Sequence, residues 1–405
     1  MIDGLSELEI KDKKVLVRLD LNVPVYEGEI LSDFRINKWS PTIINILKNN
    51  NKVIILSHFG RPVEGQNDDS LSLKIIHKRL EKLTGQTITF SKDWINGIDF
   101  GKNNIMLCEN VRFLIGEKEN SESLAKKLAA LADVFVFDAF GVSHRKEAST
   151  YGILNFIESY PGELLKNEVM NAQKLLSAPN KPVTTIISGA KISTKLALIK
   201  KLLSKSDNII LGGGILNTFL MAMKYEVGKS LSEKSFIDEA QEILNSDESR
   251  KIIVPIDVVV SYDAELDKSE TKEISMIQSE DRILDIGERT IERYIKVINK
   301  SSTIFWNGPL GYVEKNPFDN GTKMISHAIA ASKAYSIVGG GDTIPIIENL
   351  GQQDQFSCLS TGGGSLLKFI EGEKLPVLDK LGMYKLWEKE QKLLQHLVQP
   401  HLLLR

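Results

Sequence analysis

The feature that most constrains the fold is an alternation of short, β-branched apolar runs with longer helical stretches along the whole chain. Eight such runs lie at residues 14–18, 52–56, 104–107, 134–137, 184–187, 208–211, 303–306 and 336–338. Strands that alternate with helices predict βαβ units, in which helices cover both faces of a parallel sheet. A chain of 405 residues is too long to fold around one hydrophobic core. We therefore expect an α/β fold with two doubly wound, three-layer domains.

The loops after these runs differ between the two halves of the chain. In parallel sheets ligands bind beyond the carboxyl ends of the strands, so these loops are the expected binding sites. Three loops of the first half end on Arg61, Arg112 and Arg145. The second half instead carries glycine triplets at residues 212–214, 339–341 and 362–364. One half offers guanidinium groups and the other offers exposed backbone amides.

The arginines of the first half, with Arg35, favour an anionic substrate. Arginine binds carboxylate and phosphate in a bidentate manner, which fixes orientation as well as charge. Asp20 and Asn22 add groups suited to a substrate hydroxyl, and His58 and His144 can donate to an anion. If these loops meet at one sheet edge, they form a pocket for a small acidic phosphate ester.

The glycine triplets of the second half favour nucleotide phosphates. Glycine admits positive φ and lets a ligand approach the backbone, and a following helix adds free N–H groups and its dipole. One triplet alone would be explained by close helix–strand packing, but three favour a nucleotide. Asp342 is placed to hold Mg²⁺ on those phosphates, beside the Thr343 hydroxyl. Lys191 and Lys195, four residues apart, are expected to share one face at the start of a helix.

Composition and missing motifs exclude other classes. The 51 basic and 53 acidic residues nearly cancel, which argues against nucleic acid or an anionic membrane as the main partner. Cys108 and Cys358 are expected to be free core thiols, and the lack of a long apolar segment predicts a cytoplasmic protein. The glycine loops match neither the P-loop nor the dinucleotide fingerprint. A carboxylate acceptor would need no general base, because it is already ionised at pH 7.

The ordered motifs resemble the phosphoglycerate kinase family over about residues 8–380. They lie at residues 17–24, 57–62, 109–113, 138–145, 189–195, 306–309, 339–343 and 360–364. The resemblance implies two Rossmann-like domains facing across a hinged cleft. It also implies reversible phosphoryl transfer between ATP and 3-phosphoglycerate, a glycolytic and gluconeogenic step giving ADP and 1,3-bisphosphoglycerate. The implied cofactor is Mg²⁺ with ATP or ADP, and the implied protein is a cytoplasmic monomer without nucleic-acid or membrane partners.

The resemblance also implies domains and residue roles. The expected 3-phosphoglycerate domain spans residues 1–165, completed by 376–405, with an interdomain helix at 166–180 and a nucleotide domain at 181–375. The implied substrate-binding residues are Asp20, Asn22, Arg35, His58, Arg61, Arg112 and Arg145. The implied nucleotide-binding residues are Lys191, Lys195, Gly213, Asn307, Pro309, Glu314, Gly340, Gly341, Asp342 and Thr343. Arg35, Lys195 and Gly341 would be catalytic, and Asp342 would be the metal ligand.

The chain departs from the family pattern at three places. Lys368 stands where the family usually has glutamate, and Val142-Ser143 replaces the usual Thr-Ala. The tail from about Met383 to Arg405 has leucines, Leu386 and Leu397 among them, that suggest an amphipathic helix. Two other functions stay open at this point: a nicotinamide dehydrogenase, which NADH binding would indicate, and a non-catalytic nucleotide sensor or scaffold, which only turnover excludes.

Overall fold

The structure is a computed structural model that describes residues 10–263 and 265–385. These residues divide into two compact units, one made of those up to Val169 with those from Glu373 on, the other of Met170–Gly372. Within the described ranges, no helix is both long and apolar enough to cross a bilayer. The predicted helical tail begins at about Met383, and its residues 386–405 lie outside the described part of the chain.

The first unit is built on a six-stranded parallel sheet in the order β5-β6-β4-β1-β7-β8, with a small antiparallel pair β2-β3. Its strands are β1 (Lys14–Leu19), β2 (Val25–Tyr26), β3 (Glu29–Ile30), β4 (Lys52–Leu56), β5 (Ile88–Ser91), β6 (Ile105–Cys108), β7 (Val134–Asp138) and β8 (Ser159–Pro161). Its helices begin with α1 (Phe34–Leu47), α2 (Lys74–Thr84), α3 (Glu122–Ala129) and α4 (Glu163–Ser177). The division between the units falls inside α4.

The centre of this sheet is apolar because β1 is covered on both faces. Val15 and Val17 are fully buried and belong to one core cluster with Trp39 and Ile43 of α1. Such continuous β-branched burial is typical of parallel strands. Arg18 of β1 lies in register with Leu56 of β4. The loops that leave these two strands therefore begin side by side.

The second unit carries a five-stranded parallel sheet, β10-β9-β14-β15-β16, and a three-stranded antiparallel sheet, β12-β11-β13. The strands are β9 (Val183–Ser188), β10 (Asn208–Gly212), β11 (Asp257–Ser261), β12 (Glu270–Glu273), β13 (Arg282–Ile286), β14 (Thr303–Asn307), β15 (Tyr335–Gly339) and β16 (Cys358–Ser360). The helices are α5 (Leu196–Leu203), α6 (Gly213–Ala222), α7 (Ile237–Leu244), α8 (Glu288–Ile298), α9 (Asn320–Ala331), α10 (Ile344–Asn349) and α11 (Gly364–Glu371). One more helix, α12 (Pro376–Lys380), returns to the first unit.

Most of the predicted elements are confirmed. All eight apolar runs form parallel strands, and the helix predicted before the second half is α4. The antiparallel sheet was not predicted, and neither were β5, β8 and β16 at the sheet edges. Cys108 and Cys358 are buried and are not joined in a disulfide, as expected, and burial raises the pKa of the Cys108 thiol well above its ordinary value.

Candidate active site

In the first unit, the loop after β1 and the first turn of α1 bring Asp20 and Arg35 together. Arg35 donates through Nη1 to Asp20 Oδ2 at 2.9 Å and to the Asn22 carbonyl at 3.2 Å. The Asn22 side chain accepts from the Gly60 N–H at 2.8 Å, which joins this loop to the one after β4. Asp20 and Asn22 of one motif thus form one connected group with Arg35, which lies outside that motif.

His58, in the loop after β4, is buried between Asp20 and Arg18. Its Nδ1 lies 3.4 Å from Arg18 Nη2 and its Nε2 lies 3.8 Å from Asp20 Oδ1. Because a guanidinium can only donate, Nδ1 accepts and Nε2 carries the ring proton. Burial lowers the pKa of His58 well below its ordinary value, and the charges of the neighbouring arginines lower it further. The imidazole is therefore neutral at pH 7.

Arg112 and Arg145 meet at the carboxylate of Glu147. Glu147 Oε1 lies 3.5 Å from Arg112 Nη2 and 3.2 Å from Arg145 Nη1. Arg112 also donates through Nη1 to the Gly60 carbonyl at 2.6 Å. Arg61 follows Gly60 directly; it is exposed, and its side chain has no hydrogen bond or ion pair within the described chain. The charges of Arg35, Arg112 and Arg145 all act on His58, so these three predicted arginines lie around it, whereas no contact within the described chain joins Arg61 to them.

Arg18 is a member of this cluster that the sequence did not reveal. It lies within the apolar run of β1, is fully buried, and donates through Nε to Ser149 Oγ at 3.0 Å. Burial lowers the pKa of Arg18, while Glu117 and Glu147 oppose that shift. Burial in turn raises the pKa of Glu117 to about 7, against the charge of Arg18. An arginine inside an otherwise apolar strand was the available signal, because a buried arginine requires partners.

In the second unit, the loops after β9, β14 and β15 enclose a cavity of about 410 Å³, here called the glycine cavity. Its lining includes Gly189, Lys191, Lys195, Asn307, Pro309, Gly340, Gly341, Asp342, Thr343, Gly363 and Gly364. Gly308 at its wall has φ +94°, and a Cβ there would lie 2.1 Å from the Ser188 carbonyl oxygen. Around Gly341 and Gly364 a Cβ would meet only open space, so their backbones face the cavity freely.

Lys195 provides a cation inside this cavity. Its Nζ donates to Asn307 Oδ1 and to the Ser188 carbonyl, the latter at 3.3 Å. Asn307 Nδ2 donates to the Gly339 carbonyl at 2.6 Å, so the amide oxygen is turned toward Lys195. Burial lowers the pKa of Lys195 to about 8, while Asp342 favours its charged form. An anion entering the cavity would stabilise the ammonium.

The predicted arrangement of the two lysines is wrong. Lys191 has an extended backbone, Ile192–Thr194 forms a 3₁₀ turn, and Lys195 precedes the first residue of α5. The turn is held by Ser193, whose N–H and hydroxyl both donate to Glu233 at 2.8 Å. The two lysines therefore do not share a helix face, although both line the glycine cavity.

A second cavity of about 240 Å³, the apolar cavity, lies beside the first and shares Gly189, Ala190, Pro309 and Asp342 with it. Its remaining wall is mostly apolar and includes Gly213, Leu216, Leu231, Ile283, Leu284, Ile286 and Leu310, with the exposed Glu314 also lining it. The predicted nucleotide residues of this unit thus line two adjoining cavities.

The described residues offer limited means of holding a metal. They contain no group of three or more His, Cys, Asp or Glu side chains placed to bind an ion. Asp342 is exposed and lines both cavities. A single carboxylate fits Mg²⁺ that arrives with phosphate oxygens and keeps several waters, and does not fit an all-protein metal cage.

Comparison with known proteins agrees with this geometry. The phosphoglycerate kinase family model matches residues 5–373. The chain belongs to the phosphoglycerate kinase family. It is 44% identical over 381 residues to the phosphoglycerate kinase of Francisella tularensis subsp. holarctica (strain FTNF002-00 / FTA), covering 93% of this chain and 97% of that protein. It is 45% identical over 383 residues to that of Baumannia cicadellinicola subsp. Homalodisca coagulata, covering 94% and 98%.

Solved structures show the same relationship. The phosphoglycerate kinase from Coxiella burnetii matches with a TM-score of 0.84 and 40% identity, covering 94% of this chain and 99% of that one. The enzyme from Pyrococcus horikoshii OT3 matches with a TM-score of 0.81 and 28% identity, covering 94% and 98%. The expected fold, two Rossmann-like parallel-sheet domains, is confirmed. The chain is a phosphotransferase of glycolysis that acts on 3-phosphoglycerate with ATP and ADP, which argues against a dehydrogenase or a non-catalytic scaffold.

Proposed function

We propose that the first unit binds 3-phosphoglycerate, that the second binds the magnesium complex of ATP or ADP, and that the γ-phosphoryl group passes directly between them. The observation that carries this proposal is that the two units offer different binding groups. The first unit concentrates Arg18, Arg35, Arg112 and Arg145 around His58, whereas the second lines a cavity with glycine backbone and two lysines, Lys191 and Lys195. The first suits a small polyanion and the second suits a nucleotide polyphosphate.

In the first unit, His58, Arg61, Arg112 and Arg145 bind the substrate phosphate. The neutral His58 ring and the partly exposed Arg145 both supply N–H donors, and Arg61 is available from the exposed side. Asp20 and Asn22 hold the hydroxyl and carboxyl region. Arg35 lies beside them with its fork partly exposed, where it can neutralise the acceptor carboxylate and the migrating phosphoryl group.

In the second unit, the glycine cavity holds the phosphates and the apolar cavity holds the nucleoside. Lys191, Lys195, Gly340, Gly341 and Thr343 line the glycine cavity and bind phosphate oxygens. In the apolar cavity, Gly213 and Pro309 flank the base and Glu314 binds the ribose hydroxyls. Asn307 holds Lys195 in place from the end of β14.

Asp342 is the proposed ligand of Mg²⁺. When bound with the nucleotide, Mg²⁺ neutralises charge on the β- and γ-phosphates. Asp342 is exposed where the two cavities adjoin, which supports this role.

The chemistry requires charge neutralisation more than proton transfer. A carboxylate oxygen of 3-phosphoglycerate attacks the γ-phosphorus, and the bond from that phosphorus to the bridging oxygen of ADP breaks. The attacking oxygen is already anionic, so no base is needed, and Arg35, Lys195 and the Gly341 backbone amide stabilise the charge in transit. Direct transfer requires the two ligands to meet, so domain closure during turnover is part of the proposal, as are a monomeric state and a cytoplasmic location.

The proposal is tested by incubating the full chain with ATP, Mg²⁺ and 3-phosphoglycerate. ADP and an acyl phosphate that hydroxylamine traps are expected in equal amounts, and only when all three components are present. Omitting Mg²⁺ should abolish turnover, and neither 2-phosphoglycerate nor glycerol 3-phosphate should replace the acceptor. ATP hydrolysis without acyl phosphate would overturn the proposal.

A further inference from the structure

The apolar cavity contains one polar group that the assignments above do not use. Asn217 lies in the second turn of α6 and is buried. Its Nδ2 donates to the Leu231 carbonyl at 2.9 Å, which fixes the orientation of the amide. Its Oδ1 is buried and has no hydrogen-bond partner. The side chain lines the cavity.

The other polar side chains at this cavity do not share that property. Asp285 is also buried, but its oxygens accept from the Ile286 N–H at 2.8 Å and from the Gly321 N–H at 2.7 Å. Glu314 and Asp342 are exposed, so water satisfies their oxygens. Among the described residues that line the cavity, Asn217 is therefore the buried side chain with an unsatisfied acceptor. Buried polar atoms in native proteins are normally paired, which points to a missing donor.

We propose that Asn217 is a specificity-determining residue that accepts a hydrogen bond from the 6-amino group of the adenine base. This inference rests on the proposed nucleotide site in the second unit. The wall around Asn217 is formed by aliphatic side chains such as Leu216, Leu231 and Ile283, which suits the faces of a base and not a charged phosphate. An amide oxygen can only accept, so it complements a 6-amino group and leaves a base without one unpaired.

The test compares ATP with purine riboside triphosphate, which carries hydrogen in place of the 6-amino group and is otherwise unchanged. In the wild-type chain kcat/KM is expected to be about 10-fold lower for the purine analogue, the size typical of one buried acceptor left unpaired. In the Asn217→Leu variant the two nucleotides should differ by less than about 2-fold, because the acceptor is gone. The KM for 3-phosphoglycerate should not change in either case.

The control variant is Leu216→Ala, which enlarges the same cavity without altering the acceptor. It should lower kcat/KM for both nucleotides equally and keep the 10-fold preference of the wild-type chain. If circular dichroism shows that Asn217→Leu does not fold, the shorter Asn217→Ala, which also lacks an acceptor, replaces it with the same expected outcome. Equal use of ATP and the purine analogue by the wild-type chain would overturn the inference on its own.

A second set of nucleotides separates base from ribose. If Asn217 instead binds a ribose hydroxyl, 2′-deoxy-ATP or 3′-deoxy-ATP will show the loss that Asn217→Leu removes, and the assignment to adenine fails. Failure of the proposed function looks different, because then no nucleotide forms an acyl phosphate from 3-phosphoglycerate. Normal turnover without discrimination contradicts only the role of Asn217.

Discussion

Arg35 Nη1 lies 2.9 Å from Asp20 Oδ2, so the first turn of α1 is tied to the end of β1 by a charge-assisted hydrogen bond. Asp20 is buried, whereas the Arg35 side chain is 27% exposed. Both hydrogen bonds of the guanidinium use Nη1, one to Asp20 and one to the Asn22 carbonyl. The Asp20 carboxylate therefore holds the Nη1 side of the Arg35 guanidinium, and the rest of the guanidinium is left to bind a ligand.

Replacing Asp20 with asparagine should weaken substrate use more than nucleotide use. A hydrogen bond between charged groups contributes about 1.5–3 kcal/mol, so kcat/KM for 3-phosphoglycerate is expected to fall by roughly 10- to 100-fold. The KM for ATP should stay within about 2-fold, because the second unit is untouched. Asp33→Asn is the control, since Asp33 pairs with Arg79 and not with Arg35. Unchanged steady-state kinetics in Asp20→Asn would show that Asp20 does not position Arg35.

Replacing Glu147 with glutamine should destabilise the first unit. Glu147 is the shared carboxylate of Arg112 and Arg145, and Arg112 is buried. Removing one partner of a buried ion pair leaves a charge uncompensated, which typically costs about 3–5 kcal/mol in the free energy of unfolding. Urea unfolding measures this loss, and sulfate should recover part of it by binding the freed guanidinium groups.

The matched control for Glu147 is Glu122→Gln, which removes an exposed ion pair with Lys126. Exposed pairs contribute little, so its unfolding curve should superimpose on that of the wild-type chain. Equal stability of Glu147→Gln and Glu122→Gln would mean that Glu147 does not hold the two arginines.

The buried carboxyl of Asp138 should make stability depend on pH. It accepts from Thr42 Oγ1 and from the Leu165 N–H, both at 2.7 Å, and burial raises its pKa to about 7. The folded chain keeps this proton up to about pH 7, whereas the unfolded chain releases it near pH 4. The stabilising contribution is therefore complete below about pH 4 and is lost as pH rises to about 7.

Asp138→Asn isolates this effect. The free energy of unfolding of the wild-type chain minus that of the variant should fall by about 1.4 kcal/mol per pH unit between roughly pH 4.5 and 6.5. It should be level above about pH 7.5. Urea titrations across this range measure the difference, and a difference that does not vary with pH would contradict the raised pKa of Asp138.

The activity should fall above about pH 8 as Lys195 loses its proton, because burial lowers the pKa of Lys195 to about 8. The quantity to follow is kcat/KM for ATP, which reports groups of the free enzyme. It is expected to fall about tenfold per pH unit above roughly pH 8.5, where the nucleotide phosphates no longer titrate. Lys195→Arg keeps its charge and should flatten the profile.

Lys195→Ala complements that profile. We expect impaired turnover with nucleotide binding largely retained, because Lys191, Thr343 and the glycine backbone of the glycine cavity remain in place. Calorimetric titration with ADP and the kinase assay separate binding from turnover. Full activity in this variant would contradict the placement of Lys195.

The strands could be predicted because their apolar runs are continuous, as in β1 and β14, and because every parallel strand delivers its loop to the same edge. The antiparallel sheet could not be predicted from the sequence, since its strand β12 (Glu270–Glu273) has the sequence ETKE and is almost entirely exposed. Its strand character comes from pairing with β11 and not from its composition. The local sequence therefore identified the parallel sheets but missed β12, whose strand conformation depends on its pairing with β11.

The site residues also divide into those that the sequence could identify and those that it could not. Arg112 and Lys195 could be found because they follow strand ends, but their partners Glu147 and Asn307 are 35 and 112 residues distant in sequence. Asn217 could not be singled out either, because only its unpaired oxygen in the folded chain distinguishes it. The wrong arrangement of Lys191 and Lys195 has the same origin, since Glu233, 40 residues from Ser193, holds the intervening turn.

The central claim is that Arg35 of the first unit stabilises the phosphoryl group as it leaves the nucleotide bound by the second. The measurement that tests it most directly is kcat of Arg35→Ala with both substrates saturating. We predict a loss of at least ~10²-fold, on the scale of removing one transition-state donor, while circular dichroism shows an unchanged fold. A kcat close to that of the wild-type chain would contradict the claim.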